Sequence, residues 1–358
     1  MTRRLAALLL ALLAGGVAGC AGPGGSQPAP RDFRFLNTAE AYWPAMPEVP
    51  RYRWIGELTG EANFATRPGE HSALGTALRW LAGIGAGDAV PDRLQRPQGV
   101  AVDAAGRIYV SDISRNAVLV FDPAGGRLAV WAEARPGAPF RAPIGVAPDG
   151  AGGLLVADAE HGAVFRLGAD GRPRGEIGRA ELVRPTGVAR DPQSGRIFVA
   201  DTRRHRIVIF DPRGRFLDHW GLPGDEPGRF NAPTYLYVAA GRLYVADTLN
   251  SRVQILDSRD GRWLGAIGQR GLYVGNFERP KGVAVDDEGN VYVVESYRDH
   301  LLVFDGEGRF LLPIGGTGAG RGQFFLPAGV TVDGHNRIYV ADMFNGRVAV
   351  FQYLGGRL

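Results

Sequence analysis

The chain has 358 residues, 22% of them charged, a formal charge of +4 and a single cysteine. The length leaves room for two ordinary domains, the charge is too small to argue for nucleic acid, and one cysteine excludes a disulfide within the chain and any cysteine-ligated metal site. Nearly every basic residue is arginine, and Lys281 is the only lysine.

In chain order, residues 1–4 are basic and residues 5–14 form an apolar run too short to span a bilayer comfortably. Val17-Ala18-Gly19-Cys20 follows and resembles a bacterial lipobox. That resemblance implies cleavage after residue 19 and a diacylglyceryl group on the Cys20 thiol, with residues 1–19 as signal peptide. Without Arg3 and Arg4 the formal charge falls from +4 to +2. Each buried lipid methylene adds about 0.8 kcal/mol, so two or three chains anchor stably. Ala21 in place of Asp fits sorting to the periplasmic face of the outer membrane if the host is Gram-negative.

Residues 20–50 read as a lipidated tether with a proline-rich arm. Pro44, Pro47 and Pro50 recur every third residue, the period of polyproline II. Tyr42 and Trp43 are positioned to dock the arm on whatever follows, and a plain spacer is the alternative.

From residue 93 to the end the chain repeats one unit six times, most clearly as RPKGVAVDDEGNVYVVESYRDHLLVFDGEGRFLLPIG at residues 279–315. The anchoring prolines Pro97, Pro143, Pro185, Pro233, Pro280 and Pro327 stand 42 to 48 residues apart. Each unit divides into four short β-branched and aromatic runs with Asp-Gly or Gly-Arg turns between them. A period of that size in a β-rich sequence predicts an all-β, six-bladed β-propeller occupying residues 51–358. An apolar residue sits three before each proline (Leu94, Phe140, Leu182, Phe230, Phe277, Phe324) and is expected to wedge between neighbouring blades. The tryptophans and most phenylalanines fall in strands and read as blade packing.

The sixth repeat lacks its outer strand. Arg53-Trp54-Ile55-Gly56, followed by Phe64, mimics a repeat end, so residues 51–60 are expected to close the ring as that strand. The roughly thirty residues between Phe64 and Leu94 carry Leu74, Ala77, Leu78 and Leu81 at helical spacing after Ser72, which predicts a short helical insertion over residues 65–92.

The runs Ala246-Asp247-Thr248-Leu249-Asn250-Ser251-Arg252-Val253 and Ala341-Asp342-Met343-Phe344-Asn345-Gly346-Arg347-Val348, with the Pro-x-Gly-Val-Ala runs before them, resemble NHL repeats. The resemblance implies a six-bladed ring of the bacterial lipoprotein type, in which the Asp and Arg of each repeat are structural. Ala117 and Ala163 replace that Arg in repeats one and two; repeat five has Glu295 and His300 for the pair. Enzymes among such relatives gather His, Asp, Glu and Asn ligands on the inner strands. Here none of His71, His161, His205, His219, His300 and His335 lies on an inner strand. Asp103, Asp149, Asp191, Asp286 and Asp333 recur as turn formers. No catalytic residue, protein-held metal or cofactor is assigned, and a Ca2+ held by channel carbonyls stays open. The loops on one face carry Arg96, Arg184, Arg204, Arg279, Lys281 and Arg298, a candidate rim for a protein, a peptide or an anionic envelope polymer. The expectation is a monomeric, non-catalytic binding or scaffold protein of the cell envelope, membrane-tethered and without nucleic acid. The alternative is a calcium- or metal-dependent hydrolase or lyase of lactonase type.

Overall fold

The structure is a computed structural model that describes residues 31–65, 91–150 and 152–355. Five four-stranded antiparallel sheets follow one another along the chain, each starting at its anchor proline, and a sixth sheet adds N-terminal strands to the last three strands of the chain. The inner strands are Pro97–Val102, Pro143–Pro148, Pro185–Arg190, Pro233–Ala239, Pro280–Val285 and Pro327–Val332. Each touches the next, and the sixth touches the first, so the sheets close into a ring around an axial channel. In blade five the outer three strands are Val291–Glu295, His300–Phe304 and Phe310–Gly315. The channel edge of an inner strand has no partner strand, which is why small residues and prolines are tolerated there.

The core is divided into six clusters, one at each blade interface. Leu94, Phe140, Leu182, Phe230, Phe277 and Phe324 are all buried, each between its own blade and the one before. They are the expected wedges. Burying one such ring contributes about 2–3 kcal/mol, and no blade could hide its faces alone.

Ring closure is made by strand exchange. Tyr52–Leu58 pairs antiparallel with the last strand, Arg347–Tyr353, as the outer strand of blade six. Tyr52 and Trp54 face the cluster between blades five and six, and a bulge between Trp54 and Gly56 turns Leu58 to the opposite face, into the cluster between blades six and one. Phe64 joins the blade six–blade one cluster beside Leu94, the place of a wedge. Tyr42 and Trp43 dock the proline arm on the propeller, one of the two expected outcomes, but the arm departs from the expected polyproline II form. Instead of an extended polyproline segment, Tyr42–Trp43 folds back against Tyr52–Arg53 and adds a fifth strand to blade six. The Arg51 N–H to Trp43 C=O bond at 2.8 Å closes this hairpin, and polyproline II has no such internal bonds. Trp43 packs edge-on against Phe351, 5.5 Å between ring centres. The expected lipid site at Cys20 and the bulk of the helical insertion, residues 66–90, lie outside the described residues.

Candidate functional site

One face of the ring carries both the turns between second and third strands and the long loops between blades. A buried acid at the end of each second strand holds these together. Asp112 accepts the Gln95 and Arg96 N–H groups, Asp158 those of Arg141 and Ala142, and Asp201 those of Val183 and Arg184. Glu295 takes the same role for Glu278 and Arg279. Burial pushes its carboxyl above the usual glutamate range against hydrogen bonds from these two N–H groups and that of Tyr297. These acids therefore fix loops.

The rim residues lie on this face but do different work. Arg204 donates to the Glu181 carbonyl at 2.7 Å, and Arg298 to the Gly271 and Leu272 carbonyls. Both brace loops. Arg184 is exposed on blade three, across the ring from blades five and six. Arg96, Arg279 and Lys281 form the actual cluster. Lys281 is half-buried on the inner strand, and burial, then Arg279, then Arg96, hold its ammonium below the usual lysine range. Ala328, on the blade-six inner strand that lies between those of Lys281 and Gln98, is fully buried. Arg96 lies over the Phe344 ring at 5.1 Å, a cation–π contact. No acidic partner within 4.0 Å is found for these three among the described residues.

Beside the cations the same face exposes apolar side chains that the sequence pattern assigned to packing or left in turns. Leu272 and Tyr273 are 81% and 83% exposed, Tyr297 is 65% exposed, and Phe325 and Phe344, nearly half exposed, meet at a tilt with ring centres 5.4 Å apart. They come from the loops and turns of blades four to six. A strand aromatic points to a neighbouring blade; one in a turn on this face has no blade to meet. That distinction was available from their offset relative to the anchor prolines.

A second departure is legible at the axis. Five repeats place glycine two residues after the anchor proline: Gly99, Gly145, Gly187, Gly282 and Gly329. Repeat four has Tyr235, and Tyr237 where the others have alanine or threonine. The glycines are needed because a Cβ would meet the next blade's backbone, as at Gly145 with the Thr186 carbonyl at 2.4 Å. Tyr235 instead sends its ring across the channel and donates its hydroxyl to the Gln98 carbonyl of the opposite blade at 2.9 Å. The channel is thereby barred below Lys281. On the other side of the bar a cavity of about 620 Å3 opens among the first-to-second-strand turns. The turn aspartates there are engaged as expected: Asp286 accepts the Glu288 and Asn290 N–H groups and the Tyr292 hydroxyl, and Asp333 repeats the pattern with His335, Arg337 and Tyr339. Among the described residues, no three His, Cys, Asp or Glu side chains converge as a metal would need. At the Lys281 mouth a divalent cation would meet like charges.

Comparison with known proteins agrees with this geometry. The model for a 6-bladed beta-propeller matches residues 277–357, and that for the NHL repeat matches residues 94–121 and 182–210. The chain is a six-bladed β-propeller built of NHL repeats. The NHL propeller is 30% identical over 138 residues to Protein brain tumor of Drosophila melanogaster, covering 37% of this chain and 12% of that protein. The chain thus spans a small part of the curated relatives it matches. In fold it resembles streptogramin B lyase, with TM-score 0.54 and 13% identity over 73% of this chain and 94% of that one. It also resembles XC5397, a gluconolactonase from Xanthomonas campestris, with TM-score 0.57 and 19% identity over 73% and 86% of the two chains. At such identities these likenesses concern the ring alone.

Proposed function

We propose that this NHL propeller is a non-catalytic binding or scaffold protein of the bacterial cell envelope, tethered by lipid on Cys20, that holds an acidic protein or peptide on its loop face. The observation that carries the reading is the pairing of exposed aromatics (Tyr273, Tyr297, Phe325, Phe344) with a cation cluster (Arg96, Arg279, Lys281) whose side chains form no ion pair within 4.0 Å among the described residues. Rings supply contact area at low entropic cost, and the cations steer and orient an acidic partner. Loops on a rigid ring are the usual carriers of such recognition.

The test places a photo-crosslinking amino acid at Tyr297 in producing cells. A discrete adduct is expected, lost in the Arg279→Glu/Lys281→Glu double variant and weakened by salt. Stoichiometric divalent-metal binding with turnover of lactones by the purified protein would overturn the reading, as would adducts indifferent to the charge reversal. The tether is checked separately: Cys20→Ala should release the protein from the membrane fraction and abolish labelling by radioactive palmitate.

A further inference from the structure

The cavity beyond the Tyr235 bar is separate from the loop face. It is lined by Val100, Val146, Val188, Val283 and Val330, by glycines of the inner strands, and by Tyr235 and Tyr237. Its volume, about 620 Å3, lies in the range of small-molecule sites, roughly 300–1,000 Å3. One end is closed. Tyr235 forms that end, and Gly329 lets the ring pass, since a Cβ at Gly329 would stand 3.3 Å from the Tyr235 ring and 2.5 Å from the Gln98 carbonyl.

Charges are paired where the cavity opens. Arg107 is bonded to Asp103 and to the Gly152 carbonyl, and Arg190 lies 3.4 Å from Asp149, which Arg166 shares at 2.5 Å. Each charged side chain of the wall is thus engaged by an opposite charge rather than left free for a ligand. Two hydroxyls do offer hydrogen bonds. Tyr237 and Thr331, on blades four and six, line the cavity, and neither hydroxyl has a partner among the described residues. Burial raises the Tyr237 phenol to about 12, so it keeps its proton and stays a donor.

We propose that this closed-ended cavity binds an uncharged, mainly apolar small molecule that enters from the turn face and places one hydrogen-bonding group against the Tyr237 and Thr331 hydroxyls. Tyr235 is the stop that sets its depth, and the loop face beyond is left untouched by it.

The probe is N-phenyl-1-naphthylamine, a neutral fluorophore with one N–H, titrated into the full chain. Its anilinonaphthalene sulfonate analogue serves as the charged control. Saturable binding of one neutral probe per chain is expected, with at least tenfold weaker binding of the sulfonate. Val332→Trp, at the opening, should abolish it; Tyr237→Phe combined with Thr331→Val, which preserves shape, should weaken it about fivefold or more while leaving the melting temperature within a few degrees. Because the double variant is nearly isosteric, the outcome stands even if Val332→Trp fails to fold. No saturable binding, equal binding of the sulfonate, or unchanged affinity in the folded variants would overturn the proposal.

Discussion

Arg347 shows how one side chain joins the two ends of the chain. It is 5% exposed and donates to Asp342, to Glu57 on the closing strand, and to the Ala319, Gly320 and Gln323 carbonyls of the adjoining loop. A planar fork with five donors meets these demands; an ammonium cannot. Arg347→Ala should cost about 3–5 kcal/mol, because it strands a buried carboxylate, and Arg347→Lys should recover less than half in urea unfolding. Lys281 is the opposite case, a cation held where charge is unwelcome. Burial, Arg279 and Arg96 lower its folded value below the unfolded one. The unfolded chain then binds the proton more tightly, so stability rises with pH between the folded value and 10.5. Lys281→Met should therefore stabilise the protein at pH 7, and the gain should shrink as pH climbs towards the unfolded value. Denaturant titrations at pH 7 and pH 10 check both sign and window.

At the scale of elements, the wedges and the closing strand carry the blade interfaces. Phe277→Ala should cost about 3–5 kcal/mol, and the loss should appear first as faster amide exchange in blades four and five, whose cluster it fills. Trp54→Ala should cost a similar amount, since Trp54 is buried against Phe351 at 5.2 Å and donates to the Asn37 carbonyl at 2.7 Å; its exchange signature should be confined to residues 347–353. These elements were legible in the sequence because period, proline anchors and the Arg53-Trp54-Ile55-Gly56 end-mimic all report local backbone geometry. The cation cluster was legible only as a list. Residue type shows that Arg204 and Arg298 are basic, but not that backbone carbonyls of the neighbouring loops claim them. The arm misled because proline spacing says nothing about a hairpin whose partner strand lies nine residues on. Tyr235 and Tyr237 were readable as a break in five-fold glycine agreement; their direction across the axis depends on the ring being closed.

The whole molecule depends on that closure. Stacked repeats are stable because each buries the face of the next, and a ring leaves no face over. Without residues 31–58 the last blade has three strands, its edge Arg347–Tyr353 is unpaired, and the blade six–blade one cluster loses Leu58. The Tyr52–Trp54 side also leaves the cluster between blades five and six. Two of six interfaces are thus opened by one deletion, and an open edge invites pairing between chains. A chain starting at Thr59 should be insoluble, or soluble with a broad melt and strong binding of a hydrophobic dye. A synthetic peptide of residues 31–58 added during refolding should restore a sharp transition, since the lost contacts are all non-covalent. The same restoration should recover neutral-probe binding in the channel, because the cavity wall includes Val330 of blade six and Val100 of blade one, which only closure brings side by side. A truncated chain that melts sharply without the peptide would show that a three-stranded sixth blade suffices. Closure would then be a device for placing the N-terminal arm, not for holding the ring.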